Sequence, residues 1–319
     1  MAETNIKVNK KTYTNSDYLL KGQHIVSVII ATYHREHTLE KALLSLARQT
    51  YKQLEIIVVD DNADSIWSKK VDDIVCRIKL GFQTQIVLIK NEMNKGSAET
   101  RNIGIRAASG EYITFLDDDD VYLPDKVKNQ LEHMLEEDSD YSLTDLYLYD
   151  ENGKLLEIRT RKYIKENSKE DLLRYHFMHH MTGTDTMMFK RDYLLSIGGF
   201  PPINVGDEFY LMQKAIEGGG KFSYLPVCDI KAYVHTHTDG LSSGESKING
   251  ENELYRHKKK FFHLFGNKDT RYMQMRHYAV LAFAKYRGGY LIEFIKYSLY
   301  SFFSSPFQSI NLILNRKIK

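Results

Sequence analysis

This chain has few cysteines, little excess charge of either sign and no long apolar run. Two cysteines, Cys76 and Cys228, stand among 319 residues. They cannot form a disulfide framework, so we expect a reducing compartment. The net charge is only +2, which gives no general argument for nucleic-acid binding. There is no run of roughly 18 uncharged apolar residues, and residues 1–23 lack the apolar core of a secretion signal. We therefore expect a cytoplasmic protein without a spanning helix.

Several catalytic signatures are absent as well. No G-x-G-x-x-G follows the first apolar run, which disfavours a dinucleotide-dependent dehydrogenase. No G-x-x-x-x-G-K-[ST] occurs, which excludes a P-loop enzyme of the usual kind. The chain also lacks H-E-x-x-H, and its two cysteines do not have the spacing of a zinc site.

Apolar runs alternate with helical patterns in the first part of the chain. Buried strands are predicted at residues 25–32, 54–61, 85–90 and 111–116. Helices are predicted at residues 39–49, 65–80 and 97–109. This alternation predicts an α/β fold with a mostly parallel sheet. In such sheets, ligands bind beyond the carboxyl ends of the strands.

Acidic residues follow two of these predicted strands. Asp60 and Asp61 end the second, and four consecutive aspartates, Asp117 to Asp120, follow the fourth. Like charges at the end of a buried strand are costly unless something positive binds there. Carboxylates suit Mg²⁺ or Mn²⁺, and a metal here could bridge to a diphosphate. The alternatives are a helix cap for the first pair and a solvated acidic turn for the run of four.

Five segments, in order, resemble the family-2 glycosyltransferases, which have the GT-A fold. They are VSVIIATYHREHTLEKALLSLARQTYKQLEIIVVDDNADS, NKGSAETRNIGIRAASGEYITFLDDDDVYLP, GTDTMMFKRDYLLSIGGF, GDEFYLMQKAIEGGGKFSYLP and VHTHTDGLS. The resemblance implies a central, mostly parallel sheet flanked by helices, with a helical C-terminal extension. We expect a catalytic domain with a nucleotide-sugar half and an acceptor half, between an N-terminal extension and a helical region. The expected bounds are 1–24, 25–125, 126–245 and 246–319.

The resemblance also implies an activity. It is the inverting transfer of a sugar from a nucleotide-diphosphate donor, expected to be a UDP-sugar, with Mn²⁺ or Mg²⁺ as cofactor. The expected acceptor is a hydroxyl of a glycan or lipid-linked glycan in surface-polysaccharide synthesis, and no nucleic acid is expected as a partner. Two other functions are weighed. A sugar-phosphate nucleotidyltransferase is disfavoured because ATYHREHT stands where a glycine-rich loop would follow the first strand. An inactive sugar-binding scaffold is disfavoured because the acids of the family pattern are retained.

Roles carry over from the family onto matching positions. For the nucleotide sugar these are Ala31 and Asp61 near the base, Arg101 along the donor, and Asp117 and Asp118 near the ribose or sugar. Asp119 resembles the metal ligand, and Asp120 is expected to cap the next helix. Asp207 resembles the catalytic base. Glu208 is its rival, because many members read Glu-Asp where this chain reads Gly206-Asp207-Glu208.

Three histidines and one aspartate have open assignments. His237, in VHTHTDGLS, is a candidate second metal ligand, although an ordinary surface histidine fits equally well. His179, His180 and Asp185 either touch the acceptor or pack in the core.

Residues 250–319 are basic and aromatic. One interpretation of this composition is an interfacial helix on an anionic membrane, with the protein bound peripherally at the inner face of that membrane. The alternative is a helical subdomain packed on the enzyme.

Overall fold

The computed structural model describes residues 24–203, 206–234 and 244–315. The strands of its first half are β1 (Val26–Thr32), β2 (Leu54–Asp60), β3 (Ile86–Lys90), β4 (Tyr112–Phe115) and β5 (Val121–Tyr122). The helices of this half are α1 (Glu36–Ala47), α2 (Ser65–Phe82), α3 (Ser97–Ala107) and α4 (Lys126–Glu136). All strands and helices predicted for residues 25–116 are present, with ends displaced by at most three residues.

The second half adds strands to the same sheet and ends in helices. Its strands are β6 (Tyr141–Asp150), β7 (Leu155–Arg159), β8 (Met187–Lys190) and β9 (Phe222–Val234). Its helices are α5 (Lys169–His179), α6 (Arg191–Ser196) and α7 (Asp207–Glu217), with a 3-10 turn, Thr184–Thr186, directly before β8. The C-terminal helices are α8 (Gly244–Lys260), α9 (Asn267–Arg287), α10 (Leu291–Ser304) and α11 (Pro306–Asn315).

The strand order explains why one edge of the sheet collects polar side chains. It is β3-β2-β1-β4-β8-β6-β9-β5, with β7 against β6. Strands β3, β2, β1 and β4 run parallel, so their carboxyl ends meet at one edge. Strand β8 then enters antiparallel between β4 and β6. The turn that precedes β8 therefore lies beside the loop that follows β4.

The central strand β1 is buried on both faces because its side chains alternate between two apolar layers. Val28 and Ile30 pack into one layer with residues of α1. Ile29 packs into the other layer with Ile105 of α3. Gly104 permits this second contact, because a Cβ atom there would come within 2.5 Å of an Ile29 methyl carbon. Helix α3 thus lies directly against β1.

The IGGF segment, residues 197–200, forms a tight turn between α6 and the residues that follow it. Gly198 and Gly199 have φ angles of +77° and +59°, a region that glycine enters without a Cβ clash.

The C-terminal helices differ in how much of their apolar surface is buried. Leu254 of α8 and Met273 of α9 join Phe177 and Phe209 in a small buried cluster, so α8 and α9 pack on the rest of the protein. In contrast, α10 and α11 keep large apolar side chains in solvent. Within the described residues, none of the helices combines the length and apolarity needed to cross a bilayer.

Candidate active site

The four aspartates form a loop at the end of β4. The Asp117 amide donates to Asp185 Oδ1 at 2.8 Å, and the Asp120 amide donates to the Asp117 carbonyl at 3.1 Å. Asp185 belongs to the 3-10 turn before β8. Because β4 and β8 are neighbours, this turn supplies a fifth acid to the loop. The sequence pattern left Asp185 as an acceptor or packing residue and did not associate it with the aspartates.

Three of these acids converge. One carboxylate oxygen from each of Asp117, Asp120 and Asp185 lies within 4.8 Å of the other two. Burial, followed by the neighbouring Asp117, raises the pKa of Asp185 to about 7. Burial and Asp185 raise the pKa of Asp120 well above its ordinary value. Oxygen ligands at this density are the set that a hard divalent cation prefers.

The other two aspartates face the loop that follows β1. Asp118 Oδ2 accepts from the Tyr33 amide at 3.2 Å, and burial, then the charge of Asp119, raises the pKa of Asp118 to about 8. Asp119 Oδ2 lies 3.5 Å from Arg35 Nη1. The predicted metal ligand Asp119 thus faces a cation from the β1 loop, and its assignment to the metal stays a prediction. Arg35 was not singled out from the sequence, although it follows the first strand directly.

Arg101 joins the aspartate loop to the predicted base. It lies one turn before Gly104 on α3, and its side chain is 11% exposed. Its guanidinium donates to Asp117 Oδ1 at 2.8 Å and to Asp207 Oδ2 at 2.9 Å. Burial lowers the pKa of Arg101, but the two carboxylates outweigh burial and raise it above its ordinary value. One buried cation therefore fixes the relative positions of two acids that lie far apart in the sequence.

The two candidate bases have different surroundings. Asp207 is the first residue of α7 and is buried, and burial raises its pKa to about 7, although Arg101 opposes the rise. Glu208 Oε1 lies 3.2 Å from His180 Nε2. Burial also raises the pKa of Glu208, but the hydrogen bond and charge of His180 outweigh it and lower this pKa to about 2. A general base works best when its pKa is near the working pH, and the upward direction of the shift at Asp207 fits this role better than the downward direction at Glu208.

The predicted nucleobase residue Asp61 is held by the loop before α3. Its carboxylate accepts from the amides of Lys95 and Gly96 at 2.8 and 3.0 Å and from the Asn91 side chain at 2.7 Å. The cap of α2 is instead Asp64, which accepts from the amides of residues 66 and 67. The alternative that Asp60 or Asp61 caps this helix is therefore wrong.

The remaining predicted donor residue, Ala31, pairs with Val59 near the carboxyl ends of β1 and β2. It is partly buried and lies one residue before the end of β1, at the edge of the sheet where the parallel strands end. This is the edge that also carries Asp61 and the aspartate loop.

A buried lysine lies beneath the aspartate loop. Lys126 has no exposed surface, and its ammonium donates to Thr114 Oγ1 and to the Tyr122 hydroxyl, each at 2.7 Å. The Tyr122 hydroxyl in turn donates to the Phe115 carbonyl and lies 3.1 Å from the Asp185 carbonyl. Burial lowers the pKa of Lys126 well below its ordinary value, opposed by the charge of Asp185. This network ties the end of β4 to the turn before β8 and was not expected from the sequence.

The prediction that Asp120 caps the next helix is wrong. The residue at the N-cap of α4 is Asp125, and Asp120 Oδ1 instead accepts from the Tyr233 amide of β9 at 2.8 Å. His235 and His237, the latter a candidate metal ligand, lie outside the described residues, as does most of the loop that follows them.

The profile of Glycosyl transferase family 2 matches residues 27–195, more than half of the chain. The chain belongs to glycosyltransferase family 2. The matched region contains the aspartate loop, Asp61, Arg101 and Asp185. The resemblance read from the sequence is therefore confirmed, and the family assigns the chain to the transferases.

Relatives of this family 2 member agree with the assignment. The Escherichia coli UDP-Glc:alpha-D-GlcNAc-diphosphoundecaprenol beta-1,3-glucosyltransferase WfaP is 38% identical over 125 residues, which cover 39% of this chain and 47% of that protein. The chain spans about half the length of the first curated relatives it matches.

Two solved structures share the architecture. S. aureus TarS in complex with UDP-GlcNAc has a TM-score of 0.56 at 16% identity, covering 88% of this chain and 91% of that chain. The mannosyltransferase PcManGT from Pyrobaculum calidifontis, in complex with GDP-Man and Mn²⁺, has a TM-score of 0.55 at 16% identity, covering 93% of this chain and 92% of that chain. At this identity the likeness concerns the fold, and it confirms the expected GT-A architecture with helices at the C-terminal end.

Proposed function

We propose that this family 2 member transfers a sugar, with inversion, from a nucleotide-diphosphate donor to a hydroxyl of a lipid-linked glycan. The observation that carries the proposal is the position of Arg101, which contacts both Asp117 and Asp207 within 3 Å. It supports a single site in which the aspartate loop and the buried carboxyl group of Asp207 lie on either side of one guanidinium. In transfer, the acceptor oxygen must be held in line with the bond that breaks. The group that binds the donor and the group that receives the acceptor proton therefore need fixed relative positions.

The donor is proposed to bind at the carboxyl ends of β1, β2 and β4. Asp61 recognises the nucleobase and Ala31 leaves room for the base and ribose, while Asp117 and Asp118 contact the ribose or sugar. Asp61 already holds the loop before α3, so nucleotide binding and the position of Arg101 on that helix are connected. A UDP-sugar is the proposed donor, since the WfaP relative uses UDP-Glc and TarS binds UDP-GlcNAc according to their names.

A divalent cation, Mn²⁺ or Mg²⁺, fits the acids of this site. Asp117, Asp120 and Asp185 are the described residues whose carboxylates converge, and the elevated pKa values of Asp120 and Asp185 reflect burial and the negative charge of neighbouring aspartates, which a cation would offset. Asp119 is the proposed direct ligand from the family pattern, with His237 as a second. When bound, such a cation neutralises the charge that develops on the leaving diphosphate.

The proposed base is Asp207. The acceptor hydroxyl oxygen attacks the anomeric carbon on the face opposite to the diphosphate. The bond from this carbon to the diphosphate oxygen breaks, and its electron pair leaves with the diphosphate. Asp207 accepts the hydroxyl proton, which a carboxyl group with a pKa of about 7 does efficiently near neutral pH. Arg101 keeps the Asp207 carboxylate in place during this step.

A lipid-linked acceptor is supported by the surface of α10 and α11. Ile292, Phe303 and Phe307 are 82%, 69% and 72% exposed, and the exposed Lys296 lies on the same helix as the first two. An apolar surface that also carries a lysine suits the surface of an anionic bilayer. We therefore propose peripheral membrane contact through this face, with α8 and α9 packed on the catalytic domain.

Turnover of nucleotide sugars tests the main proposal. The chain is incubated with a panel of nucleotide sugars and Mn²⁺, and release of nucleoside diphosphate is measured with and without lipid-linked acceptors. We expect diphosphate release for one donor and faster release with an acceptor. Formation of a nucleotide sugar from a sugar 1-phosphate would show the nucleotidyltransferase instead, and donor binding without any turnover would show a scaffold.

Sedimentation with vesicles tests the membrane contact. We expect binding to vesicles that contain phosphatidylglycerol but weak binding to phosphatidylcholine alone. The double variant Ile292→Ser, Phe307→Ser should lose this binding while nucleotide affinity is unchanged. Dimers that dissociate in the variant, with no vesicle binding by the original chain, would show that a second copy covers this face.

A further inference from the structure

A small cavity lies between the end of α5 and the helices α8 and α9, away from the aspartate loop. Its volume is about 40 Å³, which is room for roughly three water molecules at ~10–15 Å³ each and too little for a sugar ring. Its lining includes His180, Lys258, Arg276 and His277, and its one carboxylate among the described residues is Glu251. The lining therefore carries more cationic or potentially cationic groups than carboxylates.

The two most basic side chains of the lining are held in place by the last turn of α5. Lys258 Nζ donates to the Phe177 carbonyl at 2.9 Å. Arg276 Nη1 lies 3.4 and 3.3 Å from the carbonyls of Met178 and His179. These contacts use one ammonium hydrogen and one guanidinium nitrogen, whereas a lysine offers three donors and an arginine five. Lys258 Nζ also lies over the Phe209 ring, 4.8 Å from its centroid, so the donors left for a ligand are those that face neither this ring nor the helix carbonyls.

The charges around the cavity do not balance. A helix C-terminus carries about −0.5 of an elementary charge, which is less than the two full charges of Lys258 and Arg276. The carboxylate of Glu251 also pairs with His277, since its Oε1 lies 3.2 Å from His277 Nδ1. Burial lowers the pKa of Lys258 to about 8; the charge of Glu251 opposes this shift, and the smaller effect of Arg276 supports it. Burial and then Arg276 also lower the pKa of His179 to about 4. Counting Lys258 and Arg276 against Glu251 and the helix C-terminus leaves a net positive charge of about half an elementary charge at the cavity, which favours an anion.

Two side chains, His180 and Glu208, connect the cavity to the proposed base. His180, which lines it, is also the partner of Glu208 at 3.2 Å, and Glu208 follows Asp207 on α7. A ligand group in the cavity would thus extend toward the place where the acceptor hydroxyl is deprotonated. The cations come from the C-terminal helices and the base from the catalytic domain, so both parts of the chain would hold one acceptor.

We propose that Lys258 and Arg276 bind a phosphoryl group of the acceptor, a sugar linked to lipid through phosphate or diphosphate. The size of the cavity admits one phosphoryl group, and Lys and Arg are the usual ligands of such oxygens. The proposal rests on the proposed transferase function, and it explains how a lipid-linked sugar is distinguished from a free glycan. The WfaP relative, by its name, acts on a diphosphoundecaprenol-linked sugar.

Titration calorimetry with inorganic pyrophosphate tests the site, with the donor site filled by a saturating nucleoside diphosphate and Mn²⁺. The variants are Lys258→Gln and Arg276→Gln. The matched control is Lys259→Gln, which removes the same charge from an exposed neighbour on α8. We expect each of the two variants to weaken pyrophosphate binding about 10- to 100-fold, as expected for a lost charge-assisted hydrogen bond, and the control to bind like the original chain.

Two outcomes of the calorimetry contradict the proposed phosphoryl site. Equal affinity in Lys258→Gln and Lys259→Gln, or complete displacement of pyrophosphate by the nucleotide, would overturn the proposal. A melting temperature equal to that of the control excludes misfolding, and the amide introduced by Lys258→Gln could still donate to the Phe177 carbonyl. If Arg276→Gln alone unfolds, the comparison of Lys258→Gln with Lys259→Gln decides.

A kinetic comparison separates this site from the transferase proposal. With a diphosphate-linked acceptor, Lys258→Gln should raise the acceptor KM at least tenfold and leave the donor KM unchanged. With the same sugar on an uncharged alkyl chain, the variant and the original chain should not differ. Adding phosphatidylglycerol vesicles tests whether a lipid headgroup is the source of the phosphoryl group that binds Lys258 and Arg276. If it is, the vesicles will compete with the acceptor. Absence of any turnover, with pyrophosphate binding still dependent on Lys258, would refute the transferase function but not the anion site.

Discussion

Replacing Arg101 by glutamine should move the pH dependence of transfer. The guanidinium donates a charged hydrogen bond to the buried Asp207 at 2.9 Å, and its charge holds down a pKa that burial raises to about 7. Such a bond contributes about 1.5–3 kcal/mol, and one pKa unit corresponds to about 1.36 kcal/mol. Loss of Arg101 should therefore raise the pKa of Asp207 by about one to two units.

The sign of the effect follows from the role of the base. Asp207 accepts a proton only as a carboxylate, so the rate falls as the pH drops below its pKa. With a pKa about one to two units higher, the carboxylate fraction at pH 7 falls from about one half to about 1–10%. Transfer at pH 7 should then fall about 5- to 50-fold and recover in part near pH 9. Arg101→Lys, which keeps the charge, should show a smaller displacement.

The assay is a pH–rate profile of kcat/KM, measured for both variants and for a matched control. Arg106→Gln removes a guanidinium from the same helix, but Arg106 is exposed and pairs with Glu99. Its profile should match that of the original chain. If Arg101→Gln loses activity equally at every pH, with its acid limb unmoved, Arg101 acts on the donor alone and its link to Asp207 is not functional.

Three further predictions concern individual acids. Asp207→Asn should lower transfer about 100-fold or more with donor affinity retained, and Glu208→Gln should have the smaller effect; the reverse order in a side-by-side rate measurement would make Glu208 the base. Asp119→Asn should raise the Mn²⁺ concentration for half-maximal transfer at least tenfold, whereas the same titration of Asp185→Asn shows whether the converging acids also bind the ion; two unchanged titrations would refute the metal assignment. Asp61→Ala should weaken nucleotide binding by ~1–3 kcal/mol, as expected for a lost buried hydrogen bond, and unchanged affinity in calorimetry would leave Asp61 with only its role in holding the loop before α3.

The errors of the sequence analysis have a common physical origin. Asp120 was expected to cap a helix because a nearby acid commonly does so, but Asp125 is closer to the start of α4. Asp120 instead receives the Tyr233 amide, a residue 113 positions away. Asp61 was weighed as a local cap for the same reason, and it holds a loop 34 residues further on. Local rules assign a side chain to its nearest backbone, whereas the fold offers partners from elsewhere.

The sequence by itself determined the order of strands and helices in the first half, because apolar periodicity and strand length are local properties. It also determined that acids follow β2 and β4, and therefore that they lie at the edge of the sheet where ligands bind. Only the tertiary structure decided which side chains meet there. Asp185 reaches Asp117 across 68 positions because β8 enters the sheet beside β4. Arg101 reaches Asp207 across 106 positions because α3 packs against β1 and α7 begins near the same edge. Such contacts depend on strand order and helix packing, which no local pattern of residues specifies.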